Sequence, residues 1–170
     1  QGIVYANETG MVYVTALNID QVTILNVRSD ATRPSYVGSY QSSVYLMGAH
    51  GIVYDSTNGY VYVTARVSDR VTTIDVRFTF YEPASQNIFP ACKKVSRTHP
   101  LACSFVHSDS LESKQVKTDP SNPSFVGSYQ SSVFLNYAQG IALDERRGYV
   151  YVAASVCDCV TTIDVSFFFS

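Results

Sequence analysis

The sequence predicts an all-β fold built from repeated four-stranded antiparallel units, and three observations carry the prediction. One 26-residue segment occurs three times without a gap, opening at Gly2, Gly51 and Gly140. Thirteen Tyr and nine Phe with no Trp, beside many Val, Thr and Ile, favour pleated, half-buried surface over helix. Gly-containing turn signals such as Asn58-Gly59 separate short apolar runs at hairpin spacing, because Gly supplies the positive φ that tight turns need.

The repeat sets the phase of every element. The three copies read GIVYANETGMVYVTALNIDQVTILNV, GIVYDSTNGYVYVTARVSDRVTTIDV and GIALDERRGYVYVAASVCDCVTTIDV. A second half-unit follows as PSYVGSYQSSVYLMGAH from Pro34 and PSFVGSYQSSVFLNYAQ from Pro123, with VGSYQSSV identical in both. Gly51 follows Gly2 by 49 residues, a period that suits a four-stranded propeller blade of about 40 to 50 residues.

Within each unit the strands follow from their punctuation. A short first strand, Ile52 to Asp55 or Ile141 to Asp144, leads through Asn58-Gly59 or Arg147-Gly148 into a second, Tyr60 to Thr64 or Tyr149 to Ala153. That second strand is apolar on both faces, Tyr on one and Val on the other, as a central strand between two covering sheets requires. The third strand is Val71 to Val76 or Val160 to Val165, and the fourth Ser124 to Gln130. Pro120 and Pro123 cannot join a ladder interior, so they mark the linker before the fourth strand.

This reading gives β-propeller blades, about three, with eleven strands and the last blade incomplete. Residues 1–50 form blade one, 51–139 blade two with an atypical insert at 77–115, and 140–170 an incomplete blade three with an atypical tail at 166–170. Propellers close with about 4 to 8 blades, so the expectation is an open partial propeller, either a fragment or a unit that associates with further copies.

The insert and the tail leave the repeat at one homologous point, just after TTIDV. Two readings of that coincidence stand side by side. One is a lineage-specific insertion at a hairpin on the blade's outer edge, where added length costs slowly rising closure entropy. The other is translated intron sequence, since excising Val76 to Gln115 restores TTID-VKTDPSNPSF in frame.

Composition excludes several function classes. With 46% hydrophobic residues the 170-residue chain can bury a core and is not a disordered tail. A net charge of −2 without a basic cluster argues against nucleic acid or an anionic membrane as partner. No apolar run approaches the roughly 20 residues of a membrane span, and the opening QGIVYANETG supplies no targeting signal.

The candidate sites are sparse. His50 and Gln139 precede the innermost strands of blades two and three and are channel-lining candidates, where a ring of such residues would hold a metal or small ligand. Asn7-Glu8-Thr9 is a glycosylation sequon in a predicted turn, making Asn7 a glycan acceptor in a secreted eukaryotic protein. Asp20, Asp69 and Asp158 recur at one turn position and read as caps that accept backbone N–H bonds. Cys157 and Cys159 flank Asp158; a C-x-C is a poor intrachain disulfide, so they read as two ordinary thiols. Cys92, His99, Cys103 and His107 in the insert are metal candidates whose spacing fits none of the usual zinc pairs, so neither a metal nor a cofactor is expected. No nucleophile triad, phosphate-cradling loop or carboxylate pair occurs at a workable spacing.

The unit DPSNPSFVGSYQSS…AQGIALDERRGYVYVAAS…VTTIDV resembles the LVIVD repeat of β-propeller proteins, and GIVYDSTNGYVYVTARVSDRVTTIDV is similar to the related YVTN repeat. The resemblance covers nearly all of the chain except Arg77 to Gln115 and the last five residues. It implies an extracellular or cell-surface location and a noncatalytic structural or protein-interaction scaffold, with protein partners or self-association through open blade edges. The rival reading is a piece of a propeller enzyme or metal-binding propeller whose site lies in the central channel. Fold carries neither function by itself.

Overall fold

The computed structural model of the chain describes residues 1–77 and 121–166, all within one compact unit. Blade one comprises β1 (Ile3–Ala6), β2 (Met11–Ala16), β3 (Gln21–Asn26) and β4 (Ser35–Gln41). Blade two comprises β5 (Ala49–Asp55), β6 (Tyr60–Ala65), β7 (Arg70–Asp75) and β8 (Ser124–Gln130). Blade three comprises β9 (Ala138–Asp144), β10 (Tyr149–Ala154) and β11 (Cys159–Asp164). Each blade is an antiparallel meander whose strands lie in chain order. The insert, and with it Cys92, His99, Cys103 and His107, lies outside the described residues.

The hairpins form where backbone chemistry permits them. Gly10, Gly59 and Gly148 close the first turn of their blades at φ 70°, 68° and 69°, left-handed values that a Cβ penalises. In each, the glycine N–H donates to the carbonyl four residues earlier, Ala6, Asp55 or Asp144, at 2.9 Å. The second turn of each blade turns at Asp20, Asp69 or Asp158, with φ 52°, 52° and 49°. Aspartate is among the few side chains that tolerate this region.

Two strand boundaries differ from the expectation for one physical reason. The innermost strands begin at Ala49 and Ala138, three residues before Ile52 and Ile141. The pairing register shifts between Ala49 and Ile52 and again between Ala153 and Ala154. A bulge interrupts the two-residue period, so the extra pairing leaves no alternation to read. β7 and β11 also run one residue earlier than their hydrophobic pattern suggests. Val76 and Val165 instead donate to the first-turn glycines Gly59 and Gly148 at 3.0 and 2.8 Å.

The core lies between the blades, not inside any one of them. On β2, Met11, Tyr13 and Thr15 are buried against blade two while Val12 and Val14 face away. The central β6 is covered on both sides: Val61 and Val63 pack toward blade one, Tyr62 toward blade three. Leu46 and Leu135, in the connections between blades, are fully buried and plug the two interfaces. Full burial of each such side chain favours folding by about 1.5 to 3 kcal/mol.

Candidate functional site

Three bonds made by recurrent polar residues repeat from one blade interface to the next. Thr15 Oγ1 donates to the His50 carbonyl at 2.6 Å, and Thr64 Oγ1 donates to the Gln139 carbonyl at 3.1 Å. The same hydroxyls accept from the Gly2 and Gly51 N–H groups at 2.6 and 2.8 Å. Gly48 N–H donates to Asp20 Oδ1 at 2.8 Å, and Tyr137 N–H to Asp69 Oδ1 at 3.0 Å. Thr72 Oγ1 donates to the Tyr45 carbonyl and Thr161 Oγ1 to the Phe134 carbonyl, both at 2.6 Å.

These bonds define what the sequence-predicted positions do. His50 and Gln139 stand near the starts of the adjacent innermost strands β5 and β9, and their backbone carbonyls receive the threonine bonds. The His50 imidazole is held below its ordinary value, first by burial, then by the N-terminal ammonium and Arg66, with the Gln139 backbone opposing. Asp20 and Asp69 do act as acceptors of backbone N–H bonds, but their donors lie 28 and 68 residues on. They tie the connection into the next blade and do not merely cap their own turn. Nothing in a single copy of the repeat reveals a partner that far away.

The cysteine expectation is corrected. Cys157 and Cys159 form a disulfide, their Cα atoms 5.2 Å apart. Residues two apart in an extended strand share a face but stand about 6.5 Å apart, whereas Asp158 between these two is left-handed. The chain folds back there, and both side chains reach one side of the turn.

Asn7 is exposed in the β1–β2 turn, while the Thr9 hydroxyl of the sequon is buried and donates to the Ala6 carbonyl at 3.4 Å. An open depression of about 550 Å³ is walled by Val4, Val53, Tyr54, Leu143, Asp144 and Glu145. Both Glu145 oxygens already accept, from Ser56 N–H at 2.9 Å and Ser56 Oγ at 3.1 Å. Among the described residues no group of three or more His, Cys, Asp or Glu is placed to hold a metal. Among them, no helix is long and apolar enough to cross a membrane.

One end of the blades differs from the rest of the surface. The β2–β3, β6–β7 and β10–β11 turns and the β4–β5 and β8–β9 connections share that end, since strand direction alternates along each meander. Val67 N–H donates to the Met47 carbonyl at 3.1 Å and Val156 N–H to the Asn136 carbonyl at 3.4 Å, which joins turn to connection. Val44, Met47, Val67, Val133, Phe134 and Val156 are all exposed there. The sequence pattern shows these residues as apolar but does not show that they escape the core.

The arrangement of successive meanders, each packed face to face on the next, recurs in solved structures. The chain aligns over 95% of its length with a candidate 6-phosphogluconolactonase of Bacteroides uniformis, TM-score 0.60 at 10% identity. It aligns over 95% with a second from Bacteroides fragilis, TM-score 0.62 at 9% identity. A functionally unknown protein of Desulfotomaculum acetoxidans matches over 97%, TM-score 0.60 at 13% identity. The fold is an open, partial β-propeller. The chain spans 36%, 33% and 39% of the lengths of these three chains, and identities this low speak for fold alone. No family model and no curated protein matches the chain.

Proposed function

We propose that the chain is a noncatalytic β-propeller repeat module acting as an extracellular or cell-surface scaffold for protein interaction. The observation that carries this reading is the loop end. Val67 and Val156 recur at one repeat position and Val44 and Val133 at another, all exposed at that end with Phe134 and Met47. Exposed apolar groups gathered on one surface mark interaction sites on soluble proteins, and repeat scaffolds bind through loops positioned by rigid strands.

The location rests on three supports. The repeats resemble LVIVD and YVTN units, which implies a cell-surface setting. The Cys157–Cys159 disulfide suits an oxidising compartment. The exposed Asn7 heads a sequon that a secreted eukaryotic chain would present for glycosylation.

Two measurements on the source cells test the reading. An antibody to the chain is expected to label intact, unpermeabilised cells, and the purified chain is expected to bind those cells with Phe134→Asp plus Val156→Asp abolishing the binding. Labelling only after permeabilisation overturns the location. Undiminished binding by the double variant overturns the assignment of the loop end.

A further inference from the structure

The two blade faces that the described chain leaves uncovered are the two halves of the interface it builds twice inside itself. Each internal interface sets the Tyr-bearing face of one blade against the Val-bearing face of the next. Tyr13 of blade one stacks on Tyr54 of blade two, ring centroids 5.6 Å apart and 16° from parallel. Blade three presents its Tyr face, and blade one its Val face, to solvent.

Burial at matching repeat positions makes the contrast quantitative. Val22 and Val71 are 1% and 4% exposed, whereas Val160, the same position in blade three, is 69% exposed. Ile52 is 7% exposed against blade one, and its counterpart Ile3 is 70% exposed on the far side of blade one. Tyr5, the counterpart of Tyr54, is exposed as well. Large apolar side chains placed on a flat sheet face at core positions are unusual on a free surface.

The innermost strands repeat the same complementarity. A Cβ on Gly2 would come within 2.7 Å of the His50 carbonyl, so the missing side chain makes room for the next blade's backbone. Gly51 likewise backs onto the Gln139 carbonyl. Gly140 holds the equivalent place in blade three and has only the Ala153 Cβ, at 3.4 Å, beside it. Gln1 occupies the repeat position of His50 and Gln139.

We infer that the Tyr face of blade three in one copy of this chain docks on the Val face of blade one in a second copy, head to tail. Tyr151 of one copy stacks on Tyr5 of the next, Val160 packs against Ile3, and the Gln1 carbonyl lies over Gly140. This deepens the scaffold reading by naming its partner, and it concerns blade faces, not the loop end. Contact of this kind is heterologous, and two copies supply six blades from the three described in each, one of the three having three strands, within the range of about 4 to 8 at which propellers close. The docked pair relies on face packing, because the polar bonds of the internal interface do not carry over. Those made through Gly48 and Tyr137, or through Tyr45 and Phe134, use connection positions that precede Gln1 in the repeat. The position of Thr15 and Thr64 is Ala153, so no hydroxyl reaches the Gln1 carbonyl.

Sedimentation of the full chain tests the inference. The expected result is concentration-dependent self-association that Tyr151→Asp and Tyr5→Asp each weaken by about tenfold or more, a cost near 1.4 kcal/mol. Mixing those two variants is expected to restore one heterodimer, because one keeps a sound Val face and the other a sound Tyr face. Ala153→Thr is expected to tighten association by supplying the absent hydroxyl. A monomer at all concentrations, or association untouched by either aspartate, overturns the proposal. Association lost on Thr162→Pro but kept in Tyr151→Asp also overturns it, since that pattern belongs to strand pairing along the β11 edge. Phe134→Asp at the loop end is expected to leave self-association unchanged, so failure here and failure of cell binding read out separately.

Discussion

Tyr62 donates its buried phenol to Asp55 Oδ2 at 3.2 Å, whereas Tyr13, its counterpart one blade earlier, lies in a blade with Ala6 at the aspartate's position. The Thr9 hydroxyl stands close enough to the Tyr13 phenol to hold back part of its rise, but it donates to the Ala6 carbonyl, and Tyr13 Oη is buried with no hydrogen bond of sound geometry. Burial pushes both phenols well above their ordinary value, and Asp55 raises Tyr62 further.

The pair predicts opposite responses to one substitution. Tyr62→Phe removes a donor to a buried carboxylate and is expected to cost about 1 to 3 kcal/mol. Tyr13→Phe removes an unsatisfied hydroxyl and is expected to be neutral or stabilising. Urea unfolding midpoints of the two variants decide this, and equal losses would contradict it.

Asp69 and Asp158 share a left-handed backbone, but only Asp69 holds a connection, through the Tyr137 N–H. Substitution by Ala imposes the same backbone strain at both sites. The difference between Asp69→Ala and Asp158→Ala therefore isolates the inter-blade bond and is expected to be about 1 kcal/mol. Thermal melts of both variants measure it; no difference would mean that the connection is held by packing alone.

Removing Val76 to Gln115 is expected to leave the blades intact. The residues then joining β7 to β8 are 116–123, eight residues, matching the eight of 27–34 between β3 and β4. Val116 would take the place of Val76, which is buried and donates to the Gly59 carbonyl at 3.0 Å. Shortening the connection sixfold, from 48 residues to eight, favours closure by about 1.5 kcal/mol. Circular dichroism and a thermal melt of the deletion variant check this, and an unfolded product would show that the insert is needed for folding.

His50 gives a pH dependence with a defined sign. Its folded value lies below the ordinary 6.5, chiefly through burial. Between that lowered value and 6.5 the unfolded chain binds more protons than the folded one, so stability rises with pH across this window and falls as pH drops through it. Above it the residue contributes no slope. His50→Gln, the residue at the matching position in blade three, is expected to flatten the stability profile there. An unchanged profile in denaturant titrations at stepped pH would assign the slope to other groups.

Legibility in the sequence follows the range of the interaction. Ser124–Gln130 can be read to the residue, because Pro123 bounds it and its partner strand repeats a known phase. Ala49 to Gly51 cannot, because the bulge before Ile52 breaks the alternation. The aspartates can be read as N–H acceptors but not their donors, since Gly48 and Tyr137 reach them across a blade boundary. The disulfide cannot be read from the C-x-C spacing, because it depends on the left-handed backbone of Asp158 between the two cysteines.

By itself the sequence determined the blade: its period, its strand order and the turns, all of which depend on residues a few positions apart. Tertiary structure decided which face of each blade is core. Tyr13, Tyr62 and Tyr151 hold one repeat position, yet Tyr13 and Tyr62 are fully buried and Tyr151 is partly open to solvent. Burial in a stacked repeat is a property of the neighbour, and a neighbouring blade is not written in the residues that it covers.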